Sequence, residues 1–130
     1  MNEKEAISEE VNKILIDSPY LKDKYKIKIT VLKVFHPSEV FENPPVKHVS
    51  PWGPCTVVNE GQEFIVNESG IMPEGFCPSA FQTLWDPIRT LQFGGKTIYY
   101  EDTEDAWIAC CSDGLRPVVF KLERIQKNKG

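Results

Sequence analysis

A chain of 130 residues with 41% hydrophobic and 26% charged residues can bury one core without disulfides and has the composition of an ordinary globular domain. Its formal net charge of −4 speaks against a nucleic-acid binder, whose footprint is a basic patch. The apolar runs are too short for a membrane span, and the acidic start MNEKEAISEE is unlike a secretory signal, so a cytoplasmic protein with no membrane partner is expected.

In chain order, residues 3–16 predict an amphipathic helix: Ile7, Val11, Ile14 and Leu15 share a face, Asn2 and Glu5 resemble a capping box, and Ser18-Pro19 ends it. This helix belongs to an N-terminal extension over 1–22, ahead of a single domain over 23–126 and a frayed tail over 127–130. Residues 25–35 read as a strand, with Ile27, Ile29 and Val31 on one face and lysines on the other. That alternation makes the local basic stretch a solvated strand face.

Residues 36–55 carry Pro37, Pro44, Pro45, Pro51 and Pro54, and predict a long irregular connection of the kind that carries function. A second strand is expected over 56–67, with a turn at Asn59-Glu60-Gly61. Pro78 suits the first position of a helix, whose broad apolar face holds Ala80, Phe81, Leu84, Trp85, Ile88 and Leu91, with a break expected at Asp86-Pro87. Residues 97–100 suggest a short strand, and residues 101–105 an acidic turn. That turn lacks the central glycine and distal glutamate of a calcium loop. Strands are expected over 105–111 and 116–125, joined at Asp113-Gly114, a strong hairpin signal. Gly94-Gly95-Lys96 lacks the rest of a phosphate loop. The fold class is therefore α+β: a small antiparallel sheet covered by one central helix, with the N-terminal amphipathic helix as an appendage.

The four cysteines are Cys55, Cys77, Cys110 and Cys111, and in a reducing compartment they are thiols or metal ligands. If the helix starts at Pro78, Cys77 is its N-cap. The unpaired amides of a helix start carry positive partial charge, which favours thiolate over thiol. Thiolate is the form that binds metals and attacks electrophiles. Free cysteine is also a small hydrophobe that fills cores. Position tells against that reading here, because Cys55 ends a proline-rich loop, Cys77 starts a helix and Cys111 ends a strand. Cys110 and Cys111 face opposite sides of a strand, and Cys111 lies nearer the turn.

The stretches KITVLKV, EGQEF, PEGFCPSA, LQFGG and CSDGLRPVVFKLER together resemble a family of short, functionally uncharacterised prokaryotic proteins common in anaerobes. The resemblance covers roughly residues 25–125, and the family's cysteines map onto Cys55, Cys77 and Cys111. The chain departs from the family at Gln62, where aspartate is common, and at Ser112, where proline is common. It also lacks a histidine near Asn59 and Glu60.

Three functional expectations follow from the residues. Cys55, Cys77 and Cys111 converge to bind a metal, zinc or an iron–sulfur cluster, with His48 as fourth ligand, or His36 or Cys110 in its place. No Cys-x-x-Cys spacing is present, so the ligands are dispersed. Alternatively Cys77 is a redox or nucleophilic thiol with Cys111 or Cys55 as its partner. The third reading is a binding module for a small molecule or protein, in which Trp52, with Phe76, Trp85 and Trp107, lines an apolar pocket and Arg116 holds a carboxylate or phosphate. The residues leave the reaction, if any, open.

Overall fold

The computed structural model describes residues 9–11, 13, 14, 23–50 and 52–127. The helix expected over 3–16 falls mostly outside these residues. The described elements are β1 (Ile27–Val34), a short helix α1 (Pro37–Val40), β2 (Glu63–Val66), the main helix α2 (Pro78–Gln92), β3 (Ala106–Cys110) and β4 (Val118–Arg124). The four strands form one antiparallel sheet in the order β2-β1-β4-β3. Helix α2 packs against β1, β3 and β4, so the α+β class with one covering helix is observed. Among the described residues no helix is long and apolar enough to cross a membrane.

The two periodicities of the sequence meet in the core. Alternation brings Ile27, Ile29 and Val31 of β1, Phe64 and Val66 of β2, and Val118, Phe120 and Leu122 of β4 to the helix side. The stripe Ala80, Leu84, Ile88 and Leu91 closes over them. Burying each large aliphatic side chain contributes about 1.5–3 kcal/mol relative to leaving it exposed. On the opposite face Lys28 lies between Glu63 and Glu123 at 3.2 and 3.3 Å, and both hydrogen-bonded carboxylates push its ammonium above the ordinary lysine range.

Several boundaries differ from expectation. Each strand is shorter than its pattern, most of all the second, where residues 56–58 bend instead of pairing. The Val57 N–H donates to the Cys55 sulfur at 3.4 Å, and the chain then turns at Gly61, whose φ is 85°. Residues 97–99 form no strand, and Tyr100 makes only a single bridge with Thr103. The Tyr100 hydroxyl instead accepts from the Ile108 N–H at 3.0 Å, on the open edge of β3. Helix α1 was not expected; His36 caps it, its Nδ1 accepting from the Ser38 N–H at 3.0 Å while Glu39 accepts from the His36 N–H at 2.9 Å.

The expected break at Asp86-Pro87 is absent, and α2 runs through Pro87. Proline there removes a donor to the Thr83 carbonyl and crowds it, at a cost of ~3 kcal/mol in a free helix. Leu84 and Ile88, fully buried on either side, hold the helix against the sheet regardless. Pro87→Ala is therefore expected to stabilise the fold by about 1–2 kcal/mol, since the restored hydrogen bond outweighs the ~1 kcal/mol of added unfolded-chain freedom. Urea denaturation of the two proteins measures it, and a loss of stability would mean that the half-buried ring is needed for packing.

Candidate functional site

Cys77 owes its place to a turn. The Phe76 N–H donates to the Pro73 carbonyl at 3.2 Å, and Gly75, third in that turn, has φ 81°, the geometry of a type II turn. The chain then enters α2 with Cys77 as N-cap and Pro78 at the first helical position, as the sequence predicts. The Cys77 side chain makes no capping hydrogen bond, so its sulfur is left for other partners.

The second contribution comes from the β3–β4 hairpin. It is a hairpin as expected, but its connection spans 111–117 and is not a two-residue turn. Asp113 organises it: Oδ1 accepts from the Leu115 N–H at 2.9 Å and the Arg116 N–H at 3.3 Å. At the mouth of the hairpin the Cys111 N–H donates to the Val118 carbonyl at 3.0 Å. The return bond from the Val118 N–H goes to the Cys111 sulfur at 3.3 Å. Cys110, on the other side of the strand, is exposed.

The third contribution is the loop between α1 and β2, which carries Cys55. These three segments meet over the start of α2 and line a partly open cavity of about 260 Å³. Cys55, Val57 and Val58 line it from the loop, and Cys77, Ser79 and Ala80 from the helix. Cys111, Ser112, Asp113 and Arg116 come from the hairpin, with Val118 and Phe120 of β4 as the floor. The Phe76 ring stands behind that floor, 5.4 Å from Phe120 and 4.9 Å from Phe64. Cys55, Cys77 and Cys111, far apart along the chain, thus all line one cavity. Among the described residues no group of three or more His, Cys, Asp or Glu is arranged to hold a metal ion.

The other expected residues divide. Arg116 lines the cavity, and its side chain is only 16% exposed. It spans the loops: Nη1 donates to the Gly53 and Pro54 carbonyls at 3.3 and 3.5 Å, next to Cys55, and Nε lies 3.6 Å from Asp113 Oδ2. Trp52 is not among the cavity's residues. It meets the His36 ring edge-on at 6.3 Å and borders a shallow surface hollow with Pro44, Pro45, Val46 and Lys47. His48, expected as fourth ligand, is also outside the cavity, with Nδ1 2.7 Å from the Val49 carbonyl, and His36 is occupied as a helix cap. The sequence reading missed the apolar floor and Asp113, which it took only as a turn residue. The Asp113–Arg116 spacing of three was the available signal.

No family model matches the chain, and neither a curated protein nor a solved structure matches it. The function is therefore argued from the cavity.

Proposed function

We propose that the cavity is the working site and that Cys55, Cys77 and Cys111 bind a soft metal centre there, zinc or an iron–sulfur cluster. The observation that carries this reading is that Cys55, Cys77 and Cys111, from three separate segments, all line one cavity. Their surroundings support it. Two of their sulfurs accept backbone N–H groups, from Val57 and Val118, and the third, at a helix start, makes no capping hydrogen bond. Hydrogen bonds to sulfur and nearby positive dipoles are the outer-shell interactions that tune thiolate ligands. Ligation requires the three sulfurs to approach one another, since as they stand they form no metal-holding group. Asp113 or Ser112 lies nearer the fourth position than His48 does, since both line the cavity and His48 does not. The bound centre would supply Lewis acidity if zinc, or electron transfer if a cluster.

Protein purified without oxygen is expected to carry zinc, or iron with sulfide and a broad visible absorption. Cys77→Ala is expected to weaken metal binding by more than about tenfold, the least that even an outer-shell change costs. Metal analysis and absorption spectroscopy measure both. Wild-type protein that takes up neither metal under anaerobic reconstitution would defeat the reading.

A further inference from the structure

We infer that the same cavity recognises a small carboxylate with an apolar body, and that Arg116 is the residue that reads its charge. This rests on the cavity being the working site, and it does not require a particular metal. A guanidinium carries five N–H donors in a rigid fork and stays charged when buried. Arg116 is mostly buried, yet its bonds are poor. Its two carbonyl contacts are at 3.3 and 3.5 Å, longer than the usual 2.9–3.0 Å. Its Nε is a buried side-chain nitrogen with no hydrogen-bond partner among the described residues.

The contrast with Arg124, at the other end of the helix, is direct. Arg124 donates to carbonyls at 2.7 and 2.9 Å and is structurally satisfied. Asp113 offsets the Arg116 charge only in part, because its Oδ2 is 3.6 Å away and its Oδ1 already accepts from two backbone N–H groups. A buried guanidinium with long bonds and an unpartnered Nε, bordering a cavity, can turn its fork toward acceptors that a ligand supplies.

The rest of the cavity selects the ligand's body. Val58, Ala80, Val118 and Phe120 offer hydrocarbon, which suits an aliphatic chain better than inorganic phosphate. At ~30 Å³ per water, the cavity holds about nine non-hydrogen atoms, or about eight beside a single metal ion. Pentanoate fits that limit and is the probe; pentanamide has the same shape and no charge.

The experiment is calorimetric titration of the full chain with pentanoate, pentanamide and inorganic phosphate, with metal content measured on each sample. Wild-type protein is expected to bind pentanoate about tenfold or more tightly than pentanamide, the scale of one charge-assisted hydrogen bond. Phosphate is expected to bind more weakly than pentanoate. Arg116→Gln is expected to erase the preference for acid over amide. Asp113→Asn, which keeps the Oδ1 acceptor, is expected to tighten pentanoate binding. Equal binding of acid and amide by wild-type protein overturns the inference without any variant, as does tighter binding of phosphate. An undiminished preference in folded Arg116→Gln does the same. Metal retained with the preference missing defeats this inference alone, and metal missing with the preference present defeats the metal reading alone.

Discussion

Replacing Phe120 by alanine is expected to cost about 3–5 kcal/mol of folding stability, the range for removing a buried aromatic ring. Phe120 lies on β4, an interior strand between β1 and β3, and is 1% exposed. Its ring packs 5.4 Å from that of Phe76, which in turn meets Phe64 and Phe81. Loss of the ring removes the shared wall between this aromatic cluster and the cysteine cavity, and the packed sheet cannot collapse to fill it. Chemical denaturation monitored by circular dichroism gives the cost. A loss under about 1 kcal/mol would mean that the cluster relaxes freely. The variant also probes the site: with its floor gone the cavity widens, and preference for short carboxylates is expected to shift toward longer ones.

Arg124→Met is expected to destabilise the fold by about 2–4 kcal/mol, from the loss of two hydrogen bonds donated by a charged group. Its Nη1 donates to the Leu91 and Gly95 carbonyls at 2.7 and 2.9 Å, and so ties the end of β4 to the end of α2. The last carbonyls of a helix have no internal partners and carry negative partial charge, which a guanidinium offsets. The arginine also lies 5.0 Å from the Tyr25 ring, ahead of β1. Methionine keeps much of the hydrocarbon stem and removes only the donors and the charge. Thermal and urea unfolding measure the change, and Arg124→Lys should recover part of it. Metal content and pentanoate binding in folded Arg124→Met are expected to stay at wild-type levels, because Arg124 is not among the cavity residues.

Local chemistry was legible where one element decides it. The alternation of Ile27, Ile29 and Val31 with lysine determined which side of β1 is buried. The Cys77-Pro78 pair marked the start of α2, and the one-residue offset of Cys110 from Cys111 separated an exposed thiol from a cavity thiol. Asp113 announced the hairpin.

Local rules failed where another element overrides them. Pro87 reads as a breaker, but Leu84 and Ile88 hold the helix on the sheet through it. Residues 56–58 read as strand, yet the Val57 N–H is taken by sulfur. His48 and Trp52 look like site residues by type, and only the path of the 41–62 loop shows that Arg116 lines the cavity while they stand outside it.

The sequence by itself determined the class of the domain, the buried face of its first strand and of α2, and the thiol at the helix start. These depend on periods of two and 3.6 residues and on the demands of a helix end, all of which are local. Only the tertiary structure decided that Cys55, Cys77, Cys111 and Arg116 line one cavity over Phe120. That meeting depends on how β1 and β4 pair and how α2 lies across them, and such long-range contacts leave no spacing in the chain to read.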